Sequence, residues 1–144
     1  MLLEFRVRNF RSIRDEQALS LVAAPSDKEL AATHLAPTGL KALPHAVRSA
    51  VVYGPNASGK STLLSALNYL RAMVAESATV VQPGQTYNVQ PFRLDSRTVD
   101  QPTEFEISFL VDGVRHQYSF AMTAQRIVSE QLMVWRTSKP TQWF

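Results

Sequence analysis

Residues Gly54, Pro55, Asn56, Ala57, Ser58, Gly59, Lys60, Ser61 and Thr62 read GPNASGKST. They fit the pattern G-x-x-x-x-G-K-[ST] of a phosphate-binding (Walker A) loop. The chemistry explains the residue types. An anionic triphosphate must be wrapped by backbone N–H groups, so the chain has to turn tightly, and Gly54 and Gly59 permit dihedrals that a side chain disfavours. Lys60 is a cationic arm long enough to reach β- and γ-phosphates, which makes it the candidate catalytic residue. Ser61 offers a hydroxyl to Mg²⁺. The N–H groups opening a following helix, at the positive end of its dipole, complete an anion site. The ligands implied are ATP and Mg²⁺.

Such a loop needs a strand before it and a helix after it. Ala50, Val51, Val52 and Tyr53 are a short apolar run of β-formers, which predicts a buried parallel strand. Beyond Lys60, Leu63, Leu67, Leu70 and Val74 recur at helical spacing, predicting a helix that fades near Ala75 to Ala78. Its stripe of Leu63, Leu64, Leu67 and Leu70 is expected to pack into the core.

The chain has 144 residues, 45% of them hydrophobic and 19% charged, a composition of globular rather than disordered protein. No apolar run approaches the ~18 residues of a membrane span, and the N-terminal MLLEFRVRNFR lacks the apolar centre of a signal peptide. The absence of cysteine excludes disulfides, thiolate metal sites and cysteine nucleophiles. A cytoplasmic location is compatible with this. The net charge of +3 resides wholly in residues 1–14, where Arg6, Arg8, Arg11 and Arg14 face only Glu4. That excess could serve polyanion binding, although Arg6 and Arg8 read better as the solvated face of a strand.

Leu3, Phe5 and Val7 alternate with charged residues, predicting a strand from Leu2 to Arg8. Asn9 to Ile13 reads as a turn, and a second strand from Gln17 to Ala23 suggests an antiparallel hairpin. Residues 25–47, with three prolines and Gly39, read as a long surface connection. A short helix is possible there from Asp27 to Thr33, with a capping box of Ser26 and Glu29. His34 and His45 have no metal-ligand spacing. Residues 79–102 read as irregular.

From Thr103 the period becomes two. Phe105, Ile107, Phe109 and Val111 share a face, Asp112-Gly113 is a type I′ turn signal, and Val114, His116, Tyr118, Phe120 and Met122 follow on one face. A two-residue turn pairs Val111 with Val114, Phe109 with His116, Ile107 with Tyr118 and Phe105 with Phe120. His116 is expected to be packed rather than catalytic. A third strand is expected from Arg126 to Trp135, and Trp143-Phe144 as residues to bury. Hydrolysis would further need a strand-end carboxylate and a water-orienting group. Asp112 is better explained as a turn residue, and Glu104, Glu106 and Glu130 lie on strands with no evident relation to the loop.

Three features together resemble the AAA-type, ABC-like ATP-binding proteins related to the RecF, Rad50/SMC and OLD-nuclease ATPases. They are the N-terminal strand ending in Asn9-Phe10-Arg11-Ser12-Ile13, the loop GPNASGKST, and Pro91-Phe92-Arg93-Leu94 ahead of Thr103–Ile107 and a hairpin. The resemblance is to the N-terminal part of stand-alone prokaryotic ATPases often found in phage-defence operons. It implies that Asn9–Ser12 lies beside bound nucleotide, with Arg11 and Ser12 as candidate contacts. It implies heads that pair around two ATP molecules, and by analogy DNA or an effector protein as partner. The later motifs of the family (Walker B strand, signature segment, switch histidine) are not recognisable here, so a fragment with its catalytic half absent is expected, inactive in hydrolysis alone.

The resulting expectation is an α/β chain: a partial P-loop NTPase (ABC-ATPase-head-like) core with an antiparallel β-lobe. The 144 residues form a single N-terminal part of an ATPase domain, with core pieces at about 1–78 and the lobe at about 88–137. The alternatives are a non-enzymatic interaction module with a vestigial loop and, against the β-rich character after the helix, a small P-loop kinase.

Overall fold

The computed structural model describes residues 1–24, 31–80 (76–80 as backbone only) and 86–144. In chain order it contains β1 (Leu2–Arg8), β2 (Gln17–Ser20), α1 (Ala31–His34), β3 (Leu35–Leu40), β4 (Leu43–Val47) and α2 (Lys60–Val80). There follow α3 (Ser96–Val99), β5 (Thr103–Val111), β6 (Val114–Met122), β7 (Ile127–Trp135) and β8 (Thr141–Gln142). Six strands form one sheet in the order β2-β1-β5-β6-β7-β8, and β3 and β4 form a second, two-stranded sheet. Every strand pair is antiparallel. The fold is α/β with an antiparallel sheet.

Alternation in β1 decides its two faces. Leu3, Phe5 and Val7 are buried, while Arg6 reaches Glu4 at 3.0 Å, Glu16 at 3.3 Å and Glu106 at 3.8 Å. Arg8 reaches Glu104 at 3.6 Å. Exposed pairs of this kind contribute only about 0–1 kcal/mol each. Their larger effect is on charge, since the arginines of β1 are matched by carboxylates.

The β5–β6 hairpin has the expected register, Val111 opposite Val114 through to Phe105 opposite Phe120. Asp112 (φ 51°) and Gly113 (φ 75°) supply the two positive φ angles of a type I′ turn. His116 is half-buried and stacks on Phe109 with ring centroids 5.3 Å apart. The third strand is β7, as expected.

Helix α2 covers one face of the sheet. Its Ala66 and Leu70 are buried, and Leu63, Leu67, Tyr69 and Met73 are half-buried against Phe5, Phe10, Phe105, Phe120 and Met122. Phe105 is the centre of an aromatic stack, 5.0 Å from Phe120, 5.5 Å from Tyr69 and 5.6 Å from Phe10. A smaller cluster joins Leu3, Ala46 and Leu110 with Leu40 and Leu43.

Several expectations are corrected. Residues 50–53 form no strand, and Val51 and Tyr53 are 84% and 90% exposed. An apolar run becomes a strand only where another strand takes its N–H and C=O groups, and among the described residues none pairs with it. Residues 35–47 are a hairpin rather than a plain surface connection. Thr38 there bonds the Leu43 carbonyl, and Ala46 forms a bridge with Val22. Its stability comes from the Leu3–Ala46–Leu110 contact, which no local pattern discloses. Helix α2 continues to Val80, past the expected fade, and Leu64 faces solvent at 55% exposure instead of joining the core stripe. The region expected to be irregular contains α3, whose N-cap Asp95 accepts the Arg97 N–H. Trp143 and Phe144 are only half covered at 54% exposure each, although their backbone bonds Leu132. The Ser26–Glu29 capping box lies outside the described residues.

Candidate functional site

Residues 54–59 turn the chain abruptly into α2. The Ser58 N–H points to the Pro55 carbonyl at 3.4 Å, and Ala57 sits at φ 63°. A Cβ on Gly54 would stand 3.0 Å from Ser58 Oγ, and Gly59 is at φ 91°, which L side chains rarely adopt. The bend therefore requires both glycines. The Leu63 N–H bonds the Gly59 carbonyl at 3.0 Å, so the preceding N–H groups have no acceptor within the helix.

Lys60 folds back over this turn. Its Nζ donates to the carbonyls of Gly54 at 2.8 Å and Pro55 at 2.7 Å, and lies 3.4 Å from Ser58 Oγ. Among the described residues no carboxylate pairs with it. The result is a loop with a cation at its centre and backbone donors at its rim, a donor set suited to an anion.

Beside the loop lies a cleft of about 760 Å³, within the range of small-molecule sites. The far wall is a second turn. Phe10 and Ile13 exchange two backbone hydrogen bonds of 2.8 Å, leaving Arg11 (φ 51°) and Ser12 at the tip. Ser12 Oγ and Thr62 Oγ1 are 2.8 Å apart, so the turn is fastened to the first turn of α2. Arg14 and Phe92 also line the cleft.

Of the residues singled out by pattern, Gly54, Pro55, Ala57, Ser58, Gly59 and Lys60 line the cleft; Asn56, Ser61 and Thr62 do not. Thr62 is engaged with Ser12 and Ser61 is exposed. Arg11 lays its guanidinium 5.1 Å from the Phe10 ring centroid and is not in the cleft wall. Arg14 is in that wall, with Asp15 2.9 Å away. The hydrogen bond from Arg14 holds the Asp15 carboxyl below the usual carboxylate range. Sequence reasoning missed Arg14 and Asp15 as site residues, because nothing in their spacing to residue 54 indicates proximity.

The carboxylates weighed from sequence are used elsewhere. Glu104 and Glu106 face Arg8 and Arg6, Glu130 accepts the Tyr118 hydroxyl at 2.6 Å, and Asp112 is in the hairpin turn. The carboxylate of the cleft is Asp15. Among the described residues no group of three metal-ligating side chains converges, and no helix is long and apolar enough to cross a membrane.

No curated protein matches the chain. Residues 49–144, spanning the loop, α2 and the strands β5 to β8, match the family described as AAA domain, AbiEii toxin-like, of the type IV toxin–antitoxin systems, and the chain belongs to this AAA-domain family.

Proposed function

We propose that the chain binds ATP with Mg²⁺ through residues 54–62, as the nucleotide-binding part of an AAA-type, P-loop ATPase. The observation that carries this reading is the Lys60 ammonium held over a doubly glycine-dependent turn at the start of α2, with no carboxylate partner. In this reading Lys60 exchanges its carbonyl acceptors for β- and γ-phosphate oxygens, which are stronger acceptors because they are charged. The backbone N–H groups opening α2 would take the remaining phosphate oxygens, and the Ser61 hydroxyl, exposed next to Lys60 and outside the cleft wall, would be the group of this chain to hold the metal. Mg²⁺ supplies charge neutralisation on the phosphates when bound. For hydrolysis, Lys60 is the residue of this chain that stabilises charge on the transferred phosphoryl group.

The test is titration of a fluorescent ATP analogue, with and without Mg²⁺, into the wild type and Lys60→Ala. A charge-assisted contact of about 1.5–3 kcal/mol predicts roughly 10- to 100-fold weaker binding by the variant. Equal binding by both proteins would overturn the reading. One observation favours a second reading, an interaction module. An apolar groove of about 930 Å³ runs between α2 and β5–β7, with Leu64, Val74 and Phe144 exposed along it. Equal binding in the titration would bring that reading forward.

A further inference from the structure

The arginines behind the N-terminal charge excess are matched in the fold, since Arg6, Arg8 and Arg14 each pair with a carboxylate. Arg115, Arg136 and Lys139 pair with none among the described residues. These three stand at one end of the sheet. Arg115 on β6 lies opposite Trp135, the last residue of β7, and residues 136–140 lead on into β8. The Arg115 guanidinium carbon is 4.6 Å from the Trp135 ring centroid, and that of Arg136 is 5.6 Å from the Trp143 centroid. Arg115 Nε is enclosed without a hydrogen-bond partner. A guanidinium laid on an indole keeps its N–H groups in its own plane, where phosphate oxygens can meet them.

From that end runs the face of β6 and β7 turned away from α2. Its cross-strand pairs are Arg115 with Trp135, Gln117 with Met133, Ser119 with Gln131 and Ala121 with Ser129, and Gln142 of β8 lies beside Met133. None of these residues is buried, and none is acidic. The amides of Gln117, Gln131 and Gln142 have no partner among the described residues. A cavity of about 600 Å³ opens over Ser119, Gln131 and Gln142. The carboxylates at its rim are engaged, Glu16 and Glu106 with Arg6, Glu104 with Arg8 and Glu130 with Tyr118. Each free amide offers a donor and an acceptor together, as base edges require. Met133 and the Arg115–Trp135 pair offer surfaces on which bases stack. An acidic peptide would use the cations alone, and a duplex hides its base faces. We propose that this face of β6–β8 binds single-stranded nucleic acid, with Arg115, Arg136 and Lys139 on phosphates and the amides on bases. The proposal is independent of the phosphate-loop reading.

The probe is a labelled oligothymidylate of about 15 nucleotides, with an oligouridylate of the same length to tell DNA from RNA. Anisotropy is measured across a salt series on the wild type, on Gln117→Glu with Gln131→Glu, and on Arg136→Gln with Lys139→Gln. The wild type is expected to bind at least one strand, more tightly than duplex or polyglutamate. The first pair of substitutions sets two carboxylates on the face at unchanged size and should weaken binding at least tenfold. The second pair removes two phosphate contacts from exposed positions, so the slope of log affinity against log salt should fall by about 0.7 for each. Binding should also quench the fluorescence of Trp135, read alone in Trp143→Phe. A wild type that binds neither strand at low salt overturns the proposal, as does equal or tighter binding of duplex or polyglutamate. So does wild-type affinity in the folded Gln117→Glu, Gln131→Glu protein, or an unchanged Trp135 signal. If that protein does not fold, an unchanged salt slope in the second variant overturns the proposal instead. Excess inorganic triphosphate should leave the complex intact. Displacement would put the strand on the phosphate loop, sinking this proposal and leaving the phosphate-loop reading in place.

Discussion

Lys60 and Gly59 show how much a single residue decides here. The ammonium rests on carbonyls of its own loop, so in the proposed function anion binding is an exchange of weak acceptors for charged ones rather than a search by a free side chain. The exchange depends on the bend, and the bend on Gly59 at φ 91° with open space around its α-carbon. A methyl group there meets no neighbour, so the cost of Gly59→Ala is purely backbone, on the order of 1–3 kcal/mol. An exposed loop can relieve that strain by rotating, and the cost then appears in binding. Gly59→Ala is expected to bind ATP about tenfold more weakly or worse, with an unfolding midpoint close to wild type. Calorimetric titration showing wild-type affinity would contradict this account. The bend into α2 was legible because both glycines and the start of the helix fall within one short stretch. Arg14 and Asp15 were not, because they come to the cleft only through the hydrogen bonds of Asn9, Phe10 and Ile13.

Among the elements, legibility followed the length of the local pattern. The β5–β6 hairpin was readable to the residue, since nine-residue strands with alternating faces and an Asp-Gly turn admit one register that keeps Phe105 and Phe120 together. β1 was readable for the same reason. The apolar run at 50–53 has the composition of a strand but no partner among the described residues, and β3 carries Pro37 within a short segment. Pairing partners and tertiary cover, which decide those cases, are not local properties. Helix α2 lies between these extremes: its periodicity was clear, but which leucine would face outward depended on where the sheet lay. The α2–sheet interface converges on Phe105, 2% exposed and in contact with three other aromatic rings. Phe105→Ala is expected to destabilise the protein by about 3–5 kcal/mol, read by urea unfolding. A loss under about 1 kcal/mol would mean that α2 does not pack on this sheet as described.

At the scale of the molecule, two tyrosines report whether the helix is closed on the sheet. Tyr69, on α2, has its phenol 3.7 Å from Met122 Sδ, and burial pushes its pKa up to about 12, with a smaller effect from Tyr87. Tyr118, on β6, is raised as well, first by burial and then by its hydrogen bond to Glu130. An unfolded tyrosine ionises near pH 10. With both folded values above that, the unfolded chain releases these protons first as pH rises. The stabilisation is therefore fully present below about pH 10 and is lost as pH climbs through the folded value near 12. The unfolding midpoint should hold steady up to about pH 10 and fall beyond it. Tyr69→Phe keeps the ring 5.5 Å from Phe105 but removes the phenol, so the fall should become shallower, and shallower still with Tyr118→Phe. The direct reading is the tyrosinate absorbance of the native protein, in which a late-titrating component should disappear in the double variant. If every tyrosine of the folded wild type titrates at the ordinary value, water reaches both phenols. The helix then does not cover the sheet, and the first turn of α2, with Lys60 and Thr62 on it, loses the support that places it opposite Ser12.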